Sequence, residues 1–170
     1  MVARKACWLS GERMVRHLKG SRLRRLINFW PPFLFAGIRS TRIDPDFRAI
    51  DVALALRWYN RNYVGTHFGG SLFAMTDPWY MLMLMQNLGP GYYVWDQRST
   101  IEFIAPGRGT VHVEFRIDEA LLETIRQETA ANAKYLPEFT VEIRDANQEL
   151  VARVHKTIYI RKKPHQRQPA

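Results

Sequence analysis

The sequence predicts an α+β fold: a curved antiparallel sheet wrapped around a central apolar helix, with an added N-terminal helix. Three observations predict it. The run Leu72–Met85 is apolar nearly all round, interrupted only at Thr76, Asp77 and Pro78, so a helix there needs neighbours on every side. Several short segments alternate apolar and polar residues with period two, the pattern of antiparallel strands with one covered face. The predicted order is a helix, two strands, the apolar helix, then four strands interrupted by a small helix. Strands in that order can close around one helix, and 170 residues supply one substantial core rather than two domains.

In chain order, residues 1–30 form a basic helical extension, 31–161 the main domain and 162–170 a basic polar tail. The first helix is expected over part of Gly11–Phe29, with Gly20-Ser21 as a weak point. It should stop near Trp30-Pro31-Pro32, where two backbone donors are missing. Phe29, Trp30, Phe33, Leu34 and Phe35 are expected to pack helix and linker against the sheet. Strands follow at Ile38–Ile43 and Arg48–Arg57, joined by an Asp44-Pro45-Asp46 turn. In the second, Ile50, Val52, Leu54 and Leu56 share one face. A polar loop from Asn62 leads to Gly69-Gly70 and the apolar helix, with Ser71 as a candidate cap. Gly89-Pro90-Gly91 stops that helix. Tyr92–Ile104 and Thr110–Ile117 read as a hairpin about Pro106-Gly107-Arg108-Gly109. Asp118 caps a short helix ending about Thr129, with Leu121, Leu122 and Ile125 as its packing stripe. Phe139–Arg144 and Leu150–Arg161 close the domain as a second hairpin around Asp145–Gln148.

Composition bounds the function. The formal charge of +9 belongs to the ends: residues 1–25 carry +7 and residues 161–170 carry +4, leaving −2 for residues 26–160. Solvated ends are therefore preferred over a nucleic-acid partner, and no recognition motif supports specific nucleic-acid binding. Cys7 stands alone, which fits a reducing compartment and a cytoplasmic location. No secretory pattern or membrane span is expected, since the apolar run is short of ~20 residues and contains Asp77 and Pro78. A peripheral membrane contact through the basic first helix is an alternative to its packing on the domain, with packing preferred. The histidines are scattered without metal-ligand spacing, and GTHFGGS lacks the lysine of a phosphate loop, so neither metal nor cofactor is expected.

Asp77 is the residue that asks for explanation, because an ionised carboxylate seldom sits in an apolar run unless paired, hydrogen-bonded or shifted in pKa. It reads as a base that activates water, or as a cap for backbone groups at a kink before Pro78. The first-turn amides of Gly69 and Gly70 read as oxyanion donors or as places of close packing. Asn62 orients the loop or a substrate.

On these residues the chain resembles the hotdog-fold superfamily over about residues 30–161. Within it the chain is similar to phenylacetate-pathway-type acyl-CoA thioesterases and to an uncharacterised thioesterase-like subfamily. In that family an asparagine, a glycine and His-Gly-Gly open the central helix, and an acid follows one to two turns later. Asn62, Gly65, Gly69, Gly70 and Asp77 occupy the matching places. Phe68 stands where the family has histidine, and His67 lies one residue earlier. The resemblance implies an acyl-CoA thioesterase with catalytic Asp77, Gly69, Gly70 and Asn62 and substrate contacts at Gly65, His67, Phe68 and Arg61. Arg57 and Arg98 are further candidates for a phosphate-bearing carrier. It also implies a homodimer or tetramer with sites built from two chains. The alternative is a noncatalytic acyl-ligand binder of the same fold.

Overall fold

The computed structural model describes residues 19–164; the expectations for Gly11–Leu18 and for residues 165–170 fall outside the described residues. Helix α1 (Gly20–Asn28) and helix α2 (Pro31–Ala36) lead into strands β1 (Ile38–Ile43) and β2 (Ala49–Ala55). Helices α3 (Gly69–Ala74) and α4 (Trp79–Leu88) form the central segment. Strands β3 (Tyr92–Phe103) and β4 (Thr110–Arg116), helix α5 (Glu119–Glu128) and strands β5 (Lys134–Tyr135), β6 (Glu138–Asp145) and β7 (Leu150–Lys162) complete the chain.

The strands form one sheet in the order β1-β2-β4-β6-β7-β3, with short β5 paired to β7 and every pairing antiparallel. Alternation places Ile50, Val52 and Leu54 of β2 and Val111, Val113 and Phe115 of β4 on the covered face, where all six are buried. The β6–β7 hairpin forms as expected, its turn held by Asp145 Oδ1, which accepts from the amides of Asn147 (2.8 Å) and Glu149 (2.9 Å). The expected β3–β4 hairpin does not form. β3 pairs with β7 and β4 sits between β2 and β6, so residues 104–109 cross between distant strands. Alternation reports which face of a strand is covered, not which strand lies beside it.

The prolines act differently from the expectation. Trp30 is extended and Pro31 and Pro32 occupy the first helical positions of α2, where the missing N–H groups have no intrahelical acceptor to lose. Of the expected aromatic cluster only Phe33 is buried; Phe29, Trp30, Leu34 and Phe35 are exposed. The small helix follows its sequence signal: Asp118 caps α5 by accepting from the Leu121 amide at 2.8 Å, with Leu122 and Ile125 buried.

The core lies between the sheet and α4, whose Trp79, Tyr80, Leu82, Met83 and Leu84 are buried around most of its circumference. An aromatic chain crosses it. Phe33 meets Trp79 (5.7 Å between centroids), Trp79 meets Phe115 (6.2 Å), and Tyr80 meets Phe115 edge-on (5.3 Å) and stacks on Phe139 (4.0 Å). These contacts tie the added helices, the central helix and the sheet into one packed unit. At the other end of the sheet, twelve-residue β3 packs Tyr92, Val94 and Ile101 against the core, and its outer edge is unpaired among the described residues.

Candidate active site

The loop before α3 is built around one side chain. Asn62 Oδ1 accepts from the amides of Val64 (3.1 Å) and Thr66 (3.0 Å), while its Nδ2 donates to Thr66 Oγ1 (2.9 Å) and the His67 carbonyl (3.1 Å). Gly65 completes the turn at φ +79°, a conformation costly for any residue with a Cβ. The Asn62 amide is thus spent on the loop, which it holds in one shape.

His67 lies at the end of this loop. Its backbone forms a bridge with Arg61 and turns the ring inward, leaving it 3% exposed. The Gly109 carbonyl can only accept, so Nε2 carries the proton and donates to it at 2.8 Å; Nδ1 is buried without a hydrogen-bond partner. Burial lowers the pKa of His67 from the ordinary 6.5, and the bond to Gly109 acts in the opposite sense. The folded state therefore favours the neutral ring: its contribution is fully present above the unfolded pKa and is lost as pH falls through the depressed folded value. The urea midpoint is expected to fall between about pH 7 and pH 5, and His67→Gln is expected to flatten that slope. A slope unchanged in the variant would exclude His67 as its origin.

Phe68, at the position next to the paired glycines, points the other way and is exposed. It is the N-cap of α3 and offers no side-chain cap; Ser71, the expected candidate, lies inside the helix. Its ring lies against Gly70, where a Cβ would sit 2.4 Å from Phe68 Cε1. Only a glycine accepts that approach without displacing the ring. Gly69 and Gly70 are the first two residues of α3, so their amides have no intrahelical acceptor.

Beside this loop is a cavity of about 480 Å³. Asn62, His67 and Gly69 line it on one side, Leu72, Phe103 and Ile104 provide apolar wall, and Arg108 brings a cation. That combination suits an apolar group joined to a polar or anionic one. Gly65, Gly70, Phe68, Arg61 and Asp77 do not line it, nor do Arg57 and Arg98. Arg108 escaped the sequence reading, which treated its Pro-Gly-Arg-Gly segment as a hairpin turn.

Asp77 lies in a break rather than within a continuous helix. Pro78 has no N–H to give to Ala74, and residues 75–78 separate α3 from α4. Every carbonyl freed there finds another donor. Phe73 accepts from Thr76 N (3.0 Å) and Oγ1 (2.8 Å), Ala74 from Asp77 N (3.2 Å) and Met75 from Trp79 Nε1 (2.8 Å). Thr76 and Asp77 accept from Lys156 Nζ at 2.9 and 2.6 Å. The Asp77 carboxylate caps none of them and makes no hydrogen bond among the described residues. It is exposed in the single chain, contrary to the burial expected from the apolar run, because the break turns it outward.

Lys156 is 1% exposed on the covered face of β7, with Asp96 Oδ1 at 3.2 Å. Two of its three donors serve the Thr76 and Asp77 carbonyls, and its charge lies against the Asp96 carboxylate. Burial raises the pKa of Asp96, Lys156 opposes that rise, and the nearby charge of Asp77 adds to it. The sequence reading missed this cluster. Its signal was a lysine in register with inward-facing Val154, Ile158 and Ile160.

Among the described residues no group of histidine, cysteine, aspartate or glutamate is arranged to hold a metal, and no helix is long and apolar enough to cross a membrane. A comparison with curated proteins finds no match. Solved structures do match. A Pseudomonas aeruginosa protein of unknown function described as a probable thioesterase aligns with a TM-score of 0.77 at 20% identity, covering 86% of this chain and 97% of that one. A thioesterase from Haemophilus influenzae aligns with a TM-score of 0.63 at 14% identity, covering 88% and 96%. The E. coli PaaI protein from the phenylacetic acid degradation operon aligns with a TM-score of 0.58 at 16% identity, covering 85% and 92%. Residues 21–160 match the family described as a domain of unknown function, DUF4442. The sheet, its central helical segment and these matches together make the chain a member of the DUF4442 family with the hotdog fold.

Proposed function

We propose that the protein hydrolyses an acyl thioester of the acyl-CoA class. The observation that carries this reading is the cavity at the start of α3, where an apolar wall, Gly69 at the helix start and the Arg108 cation surround space for an acyl group. The amides of Gly69 and Gly70 would stabilise the negative charge that develops on the thioester carbonyl. Asn62 holds the loop that presents them. Gly65, His67 and Phe68 shape the substrate's approach, and Arg61 joins Arg108 as a contact for the carrier's phosphates. The Asp77 carboxylate, free of structural hydrogen bonds, takes a proton from the attacking water.

Within one chain Asp77 is not part of the cavity lining, and this supports a site completed by two chains. The uncovered edge of β3 offers a twelve-residue row of backbone groups for pairing with a second copy. Asp77 of the partner subunit would then supply the base. A homodimer is expected in native solution by light scattering. A mass that stays monomeric at all concentrations, with the fold intact, would defeat the two-chain site.

A second reading has its own observation. Phe68 is not an acid or base, and His67 is buried with Nε2 committed to Gly109. A site without histidine chemistry also suits an acyl-ligand binder. A panel of short aliphatic, long-chain and aryl acyl-CoA substrates separates the two. Turnover of any member supports the hydrolase; tight binding without turnover across the panel supports the binder.

A further inference from the structure

Helix α1 is held to the sheet by one side only. Leu23 and Ile27 are buried, Asn28 exchanges hydrogen bonds with the Ser40 backbone (3.0 and 2.8 Å), and Arg24 donates to the Thr41 carbonyl at 2.8 Å. On another side, Arg22, Arg25, Leu26 and Phe29 are spaced three and four residues apart, and all are exposed. The chain then exposes Trp30, Leu34 and Phe35, with Phe29 and Phe35 each 74% accessible. The Arg57–Asn60 turn is fastened alongside. Asn60 donates to the Ala36 (2.8 Å) and Ala55 (2.9 Å) carbonyls and accepts from the Arg57 amide (2.6 Å), leaving Trp58 81% exposed. Large aromatic side chains thus project beside guanidinium groups, and residues 19–36 contain four basic residues and no acidic one.

We infer that α1, α2 and the Arg57–Asn60 turn form a docking face for an anionic lipid surface. Apolar side chains of this size in water mark a partner. Tryptophan and phenylalanine enter the boundary between headgroups and acyl chains, while arginine pairs with lipid phosphates. A second copy of this chain is the poorer occupant, because a two-fold contact through this face would set Arg22 and Arg25 against the same residues of the other copy. Nucleic acid would engage the arginines but gives Leu26, Leu34 and Phe35 no apolar surroundings.

The test is flotation of the full chain with phosphatidylcholine vesicles, with and without about 30% phosphatidylglycerol. Binding to the anionic vesicles is expected, with a roughly 10-fold lower bound fraction for the F29S/F35S and R22E/R25E double variants, whose melting curves should match the wild type. In the wild type, brominated lipid should quench tryptophan fluorescence, a readout that needs no variant. Absence of wild-type flotation, unchanged flotation of F29S/F35S, or binding without quenching would overturn the inference. A lower oligomer mass in F29S/F35S without vesicle binding would assign the face to a second copy. Retention of an RNA oligonucleotide without vesicle binding would assign it to nucleic acid. The outcome is independent of thioester turnover.

Discussion

Asp77→Asn is expected to lower acyl-CoA turnover by roughly 100-fold or more, at least ~2.7 kcal/mol of transition-state stabilisation, while ligand binding and dimerisation persist. The substitution nearly conserves volume and removes charge and basicity. Its structural neutrality follows from the break between α3 and α4: Asp77 is anchored there through its backbone carbonyl to Lys156, and its carboxylate is free of hydrogen bonds among the described residues. Asparagine keeps that carbonyl. A lost rate with an unchanged melting temperature would therefore report on the chemistry of the carboxylate. Steady-state rates across the acyl-CoA panel, measured beside melting curves, check this. Equal turnover by both proteins would remove Asp77 from the mechanism.

The largest stability effect is expected at Lys156. Lys156→Met keeps the length of the side chain but strips the Thr76 and Asp77 carbonyls of their donor and leaves Asp96 without its cation. Breaking a buried ion pair from one side costs about 3–5 kcal/mol, since the remaining charge stays desolvated. Urea unfolding should show a lower midpoint at unchanged slope. Adding Asp96→Asn should recover part of the loss, because the stranded carboxylate goes with its partner. A loss under about 1 kcal/mol would mean that the break closes without Lys156.

The legible parts of this fold were those in which a local signal has one meaning. Asp118 before Leu121, Leu122 and Ile125 could hardly be anything but a capped amphipathic helix, and β1 and β4 were read to within a residue of their ends. The central helix and the strands that cover it followed from the apolar run. Misreadings arose where a signal has two meanings. Pro31-Pro32 ends one helix, but it also begins the next. The Pro106–Gly109 segment has hairpin composition, yet strand neighbours are chosen by the whole sheet, and β3 crosses to β7. At the site, the sequence puts Asn62, Gly65 and His67 in one loop, and the structure draws that loop together around the Asn62 side chain. Their division of labour was hidden, because it depends on a carbonyl at Gly109 that is 42 residues away from His67 in sequence. Lys156 and Asp96 were hidden for the same reason: each is ordinary until the strand register sets them beneath the break.

The contacts of His67 also reach the wall across the cavity. Its amide donates to the Gly107 carbonyl at 3.1 Å, its ring to the Gly109 carbonyl at 2.8 Å, and the Leu56 amide to that same Gly109 carbonyl at 3.1 Å. The loop that ends at Gly69 and the crossing segment that carries Ile104 and Arg108 are thereby sewn to each other and to the end of β2. Under the acyl-ligand reading proposed above, an opening hemmed in this way would work as a gauge rather than a jaw: guests would be sorted by girth, and one too broad refused unless the seam is unpicked.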